Sequence, residues 1–317
     1  MSTSARQPLG REPGWRAWGR VLRLSLTATA AADVAAGLTL GAGGWPMGPA
    51  ALLAIAGSLC VYHGGMALND WADRAEDARS RPDRPIPSGR LSAGTVRAVA
   101  VSLLLVGPGL TALADPRAGL VLAAVALAAS LYDLAGRGPW RGPLLLALCR
   151  AGNVTAGLVA GAATEGAAPG RGWWALPLVY GAYVGMLSVL GRREDDLERE
   201  PGRLPARILH LSTLCLVAAP LSGAAAVGAA TEPTVWLAAG LALAIWAALG
   251  LQRAAARTEA WTREGVTAAM GMLLRRMLIV TSSAVLASGV PGAPVVSGAI
   301  LAGYVVSHRL RRIFPPS

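Results

Sequence analysis

Long apolar runs recur along this sequence with brief polar interruptions, and that rhythm leaves the chain few ways to fold. The runs cover residues 21–42, 49–69, 96–114, 118–135, 143–163, 173–191, 207–229, 234–251, 275–290 and 293–308. About 20 apolar residues is the length an α-helix needs to cross a bilayer. In hydrocarbon a segment must satisfy its own backbone N–H and C=O groups, so helices are the expected form. The chain therefore reads as an all-α polytopic membrane protein with nine spans plus one extra. The last two runs are the shortest, and Pro291-Gly292 is the expected break between them. Composition agrees, with 54% hydrophobic and 15% charged residues and a mean hydropathy of +0.48. The expected organisation is an N-terminal segment over 1–20, one transmembrane domain over 21–308 and a basic tail over 309–317. The first run contains Asp33 and lacks a small-residue cleavage site, so no signal peptide is read there.

The net charge of +11 would point to nucleic acid in a soluble protein. Its placement argues for a bilayer and against nucleic acid. All 29 basic residues are Arg, and only Arg117 and Arg171 fall in loops of one side. By the positive-inside rule the Arg-rich side, with the N-terminus, is cytoplasmic. Trp45, Trp173, Trp174 and Trp236 would mark the outer interface, and Trp15, Trp18, Trp71, Trp140 and Trp261 the inner one. Cys60, Cys149 and Cys215 are too scattered for a disulfide framework or a zinc motif and read as small apolar residues.

Acidic residues concentrate in two places. Five of the 18 lie between Asp70 and Asp83, and five between Glu194 and Glu200. Asp70, Asp73 and Asp77 are spaced i, i+3, i+7, so a continuous helix would place all three on one face. Crowded carboxylates need a cation, and an oxygen-rich cluster suits Mg²⁺, the usual bridge to a diphosphate. In the second cluster Glu194 and Glu198 share a helical face, Asp195 and Asp196 lie off it, and Arg192, Arg193 and Arg199 are interleaved. Both clusters follow an even-numbered span and could converge on one cavity open to the cytoplasmic side. The alternative is two solvated loops.

Ionisable residues within spans are functional candidates by default. Asp33 and Arg150 either pair with each other or leave Arg150 to face a cavity and bind phosphate, with Asn153 one turn deeper. His63, seven residues before Asp70, either touches an acceptor or packs. Tyr132, Asp133 and Arg137 close the fourth span at the inner interface, where Tyr132 is an acceptor-pocket candidate or an interfacial anchor.

The stretch Asn69-Asp70-x-x-Asp73-x-x-x-Asp77, followed by Arg84-Pro85-Ile86-Pro87-Ser88-Gly89, resembles the first signature of the UbiA-like intramembrane prenyltransferase superfamily. The resemblance covers most of the chain. It implies a UbiA-like bundle in which Asp70, Asp73 and Asp77 hold Mg²⁺ on a prenyl diphosphate, Asn69 supports them, and Arg84 lies near the phosphates. Arg137 and Arg150 would add positive charge. Residues 63–70, 81–89 and 148–153 further resemble the EboC-type branch, which belongs to a bacterial gene cluster linked to making or exporting a small metabolite. The expected location is thus the bacterial inner membrane. One departure stands out. Where the family carries a second Asp-x-x-x-Asp motif, direct alignment places Arg192 at its first Asp, and a shifted alignment gives Glu194 and Glu198.

The resemblance implies Mg²⁺-dependent transfer of a prenyl group from an isoprenyl diphosphate to a lipophilic or aromatic acceptor. His63, Asp133 and Glu194 are the candidates for the base. A second reading is a non-catalytic binder or carrier of a prenyl or diphosphate lipid. A transporter is disfavoured, because no inverted repeat or matched pair of broken spans is evident.

Overall fold

The computed structural model describes residues 13–46, 48–135, 138–166, 172–195, 202–228, 235–256 and 261–314, with 193–195 and 263 described by backbone only. In chain order its helices are α1 Gly14–Val21, a 3-10 turn at Leu24–Leu26, α2 Thr27–Ala42, α3 Pro49–Ala72, α4 Arg74–Ser80 and α5 Ala93–Ala114. Then come α6 Pro116–Leu134, α7 Arg141–Thr164, α8 Ala175–Asp195, α9 Leu204–Ala226, α10 Val235–Ala256, α11 Arg263–Ser288 and α12 Ala293–Ile313. Among the described residues there is no strand, and nine helices are long and apolar enough to cross a membrane. These are α2, α3 and α5 to α11. The protein is an integral membrane bundle. Its lipid-facing surface is apolar, with Leu105, Leu113 and Leu120 each more than 70% exposed, a surface that water would not tolerate.

The ninth span begins at Arg263 rather than at 275. Glu264, Arg275 and Arg276 lower its apolar character, but Thr262 caps the helix by accepting the Gly265 N–H at 3.2 Å. Gly289 and Gly292 both adopt the left-handed conformation, at φ 66° and 79°. They end α11 and open α12, so the break around Pro291-Gly292 is real. The tail expected over 309–317 starts instead inside α12, which runs to Ile313. The described part of the N-terminal segment packs against the end of α12. Trp15 meets Phe314 edge-on at 5.7 Å, and Gly19 lies so close to that ring that a Cβ would fall 2.1 Å from it.

Two glycine-lined seams set the bundle's inner geometry. Helix association in lipid relies on close packing rather than on expulsion of water. Gly37 and Gly41 of α2 face Gly157 and Gly161 of α7, and a Cβ on any of the four would lie 2.4 Å or less from a backbone carbonyl of the other helix. Gly57 of α3 and Gly107 of α5 repeat the pattern. The α2–α7 seam brings Asp33 of α2 to Arg150 and Asn153 of α7.

Candidate active site

A cavity of about 260 Å³ runs inside the bundle among α2, α3, α6, α7, α8 and α11. Its wall is mostly apolar, from Val61, Met66, Val125, Leu146, Leu187 and Met277. Its polar groups gather at two levels. Ser58, Arg150 and Asn153 lie deep, and Asn69, Tyr132 and Asp133 lie where α3 and α6 end. Asn69 donates to Asp133 Oδ1 at 2.8 Å, tying the two helix ends together at the end of the cavity that we take as its mouth.

Asp70 begins a buried charge cluster beside that mouth. Asp70, Asp77 and Arg84 are all buried. Arg84 Nη1 lies 2.6 Å from Asp77 Oδ2 and 3.7 Å from Asp70 Oδ1. Arg23 Nη2 reaches Asp70 Oδ1 at 3.3 Å. A tight turn holds Arg84, with the Ser88 N–H donating to the Arg84 carbonyl at 3.0 Å and the Leu91 N–H to the Pro85 carbonyl at 3.1 Å. Gly89, at φ 74°, lets that turn close. Arg23 was not foreseen. It is the one non-glycine residue with positive φ among those described, at 52°. That left-handed kink between α1 and the 3-10 turn presents the Arg23 side chain to Asp70.

The three aspartates do not share a single helix face. α3 ends at Ala72 and α4 starts at Arg74, with Asp73 between them as the cap residue. Asp73 is half-buried, and none of the three lines the cavity. Among the described residues no three acidic, His or Cys side chains converge on one point, so Asp70, Asp73 and Asp77 do not form an all-protein metal cage. Arg84 separates Asp70 from Asp77. The set still fits magnesium in another way. Mg²⁺ commonly uses one or two carboxylates, with substrate phosphates and water completing its shell. Asp70 Oδ2 is buried with no hydrogen-bond partner, a hard oxygen held available.

Deeper in the bundle, Arg150 lines the cavity and pairs with Asp33, the first of its two alternatives. Arg150 Nη1 donates to Asp33 Oδ2 at 2.8 Å and Nη2 to Thr29 Oγ1 at 3.3 Å. Tyr180 donates to Asp33 Oδ1 at 2.6 Å. Asp33 is fully buried, and a charge at that depth persists only when paired. Asn153 completes the network, donating to the Ala30 carbonyl at 3.2 Å and accepting from Ser58 at 2.7 Å. It lines the cavity, as an acceptor-pocket residue should, but it also ties α7 to α2 and α3.

His63 does not line the cavity. Its Nδ1 donates to the Leu22 carbonyl at 2.7 Å, and Nε2 lies 3.4 Å from Thr27 Oγ1. The packing alternative holds, and its neighbour Tyr62 faces the cavity instead. Tyr132 does line it. In the second acidic segment, Arg192 donates to the Gly138 carbonyl in the α6–α7 loop. Glu194 and Asp195 lie in the last turn of α8. Their side chains, with Glu198 and Arg137, lie outside the described residues.

The sequence pattern of the UbiA prenyltransferase family matches residues 30–273. The digeranylgeranylglyceryl phosphate synthase of Ignicoccus hospitalis is 39% identical over 84 residues, which are 26% of this chain and 28% of that protein. The chloroplastic chlorophyll synthase of Oryza sativa is 47% identical over 60 residues, 19% of this chain and 16% of that protein. The matched stretches thus span about a quarter or less of these curated relatives. The structure of a UbiA homolog from Archaeoglobus fulgidus bound to GPP and Mg²⁺ superposes with a TM-score of 0.61 at 15% identity, over 86% of this chain and 100% of that one. That likeness shows a shared fold.

Proposed function

This chain belongs to the UbiA prenyltransferase family, and from that membership we propose that it transfers a prenyl group from an isoprenyl diphosphate to a lipophilic acceptor. One observation carries the reading: a buried arginine–aspartate cluster with an unpartnered carboxylate oxygen adjoins the mouth of an apolar cavity. The cavity walls hold the isoprenoid tail and exclude water. The diphosphate lies at the mouth, where Arg84 and Arg23 transfer from their aspartates to phosphate oxygens. That exchange frees Asp70, with Asp73 and Asp77 nearby, to hold Mg²⁺, and Asn69 orients the end of α3. Bound Mg²⁺ supplies charge neutralisation that makes the diphosphate a better leaving group. Arg84 and Arg23 meet the negative charge that grows as the carbon–oxygen bond breaks. The acceptor's nucleophilic atom then bonds to the allylic carbon and loses its proton. Among the described residues Asp133 is the only carboxylate in the cavity wall, which makes it the base. Tyr132, beside it, positions the acceptor. The cluster end of the bundle faces the cytoplasm, and within the family we place the chain nearest the EboC-type branch in a bacterial inner membrane.

The carrier reading has one observation in its favour. In the direct alignment Arg192 takes the place of the first Asp of the family's second motif, and its guanidinium bonds a loop carbonyl. Purified protein given Mg²⁺, labelled geranylgeranyl diphosphate and a panel of phenols and quinol precursors separates the two. Release of diphosphate that stops with chelator supports the transferase. Mg²⁺-dependent binding with no release across the panel supports the carrier.

A further inference from the structure

A second pocket, of about 170 Å³, lies between the 3-10 turn, α2, α11 and α12. It differs from the central cavity in its charge. Arg275, His308 and Arg311 line it together with Tyr304, Ser307 and Thr29. No Asp or Glu lines it. Among the described residues neither Arg275 nor Arg311 forms an ion pair with a carboxylate. Ser307 Oγ is buried and has no hydrogen-bond partner. Two half-buried guanidinium groups and an unused hydroxyl, left together within a membrane bundle, call for an anion.

A separate groove shows what carries that anion. A crevice of about 520 Å³ follows the same two helices away from the pocket. Ala28, Ala32 and Ala35 of α2 form one bank, and Val295, Ala299 and Gly303 of α12 the other. Trp45 stands at its far end. A Cβ on Gly303 would lie 3.1 Å from the Ala28 methyl, so the banks pinch together at the end nearest Tyr304 and Arg311. The groove is wholly apolar and the pocket is basic, and α2 and α12 contribute to both.

We infer that α12, with Arg275 of α11, builds a site for a phosphate-headed lipid, the phosphate held by Arg275, Arg311 and Ser307 and a hydrocarbon chain lying in the α2–α12 groove. Basic pockets between membrane helices suit anionic head groups. The residues that would hold the phosphate, Arg275, Ser307 and Arg311, lie beyond the stretch that matches the family, which ends at residue 273. It does not depend on the transferase reading, because its ligand is bound outside the reaction cavity. Leu26 and Leu274 form a wall common to the two pockets.

The test offers delipidated full-length protein three lipids in turn, with retention counted by native mass spectrometry. They are phosphatidylglycerol (a phosphodiester), phosphatidic acid (a phosphomonoester) and diacylglycerol (no phosphate). At least one phosphate-headed lipid should be retained about fivefold or more over diacylglycerol, and Arg275→Gln with Arg311→Gln should lower that retention about tenfold. Ala299→Phe, which fills the groove and leaves the charges alone, should lower it as well. Preference for the monoester assigns the pocket to a phosphorylated lipid, whereas equal retention of both assigns it to bulk anionic membrane lipid. Equal retention of diacylglycerol, or unchanged retention in the double variant, overturns the site. If the double variant fails to fold, Arg311→Gln near the end of α12 replaces it: lowered retention supports the site, and unchanged retention overturns it.

Discussion

Two buried arginine–aspartate clusters sit in this bundle, and they are finished to different degrees. At mid-membrane, both oxygens of Asp33 are used, by Arg150 and Asn153 on one side and Tyr180 on the other. Beside the cavity mouth, Asp70 keeps Oδ2 without a partner although it is almost as deeply buried. A closed network of this kind holds helices in register. An open one carries residual demand for a ligand, because an unmet buried acceptor is destabilising until something meets it. The deep cluster therefore reads as architecture and the mouth cluster as machinery.

The largest expected effect breaks the deep cluster. Arg150→Leu leaves the Asp33 carboxylate without its counter-ion and should destabilise the protein by about 3–5 kcal/mol. Thermal unfolding in detergent would show it. A melting temperature equal to wild type would mean that Asp33 is neutral or hydrated, and the contrast between the clusters would collapse.

Replacing both members sharpens the point. Asp33→Leu with Arg150→Leu removes the charges together, and buried pairs replaced by apolar groups often lose little. The double variant should recover most of the lost stability. A residual deficit of about 1–3 kcal/mol is expected, because the Tyr180 hydroxyl loses its acceptor. A double variant less stable than Arg150→Leu would contradict a purely structural pair.

The mouth cluster should respond in the opposite sense. Asp70→Asn keeps size and polarity but removes the charge. Diphosphate release should fall about 10²–10³-fold, the scale of losing one preorganised electrostatic contact. The melting temperature should fall less than in Arg150→Leu, because Arg84 keeps Asp77 as its partner. If stability falls while the rate of the folded fraction holds, Asp70 is architectural too.

How far the sequence led differs between these clusters for a physical reason. Apolar runs report helices directly, so the spans were legible except where charge diluted them, as at the start of α11. Asp70 and Asp77 lie seven residues apart, close enough for local spacing to group them, and Arg84 joined them through the resemblance to the family's first signature. The Asp33–Arg150 pair stood as one of two options, because spans in a sequence carry no record of which helices touch. The α2–α7 glycine seam decided it. Arg23 was invisible, since its approach to Asp70 depends on a backbone conformation that an Arg rarely adopts. The same limit applied to the aspartate spacing, which assumed one continuous helix where the chain breaks at Asp73.

That conformation gives the smallest and most specific prediction. A left-handed φ at a residue with a Cβ is unfavourable by roughly 1–2 kcal/mol, and Arg23 bears it while contacting Asp70. Arg23→Gln and Arg23→Gly both remove the guanidinium, so both should weaken diphosphate binding about tenfold, the scale of one charge-assisted hydrogen bond. They differ in the backbone alone, because glycine takes positive φ without strain. Arg23→Gly should therefore unfold at a higher temperature than Arg23→Gln, by the equivalent of about 1 kcal/mol. If glycine restores stability and binding stays weak, the kink exists to deliver the side chain. If the two variants melt together, the strain is absent, and the open cluster loses the feature that most clearly separates it from the closed one.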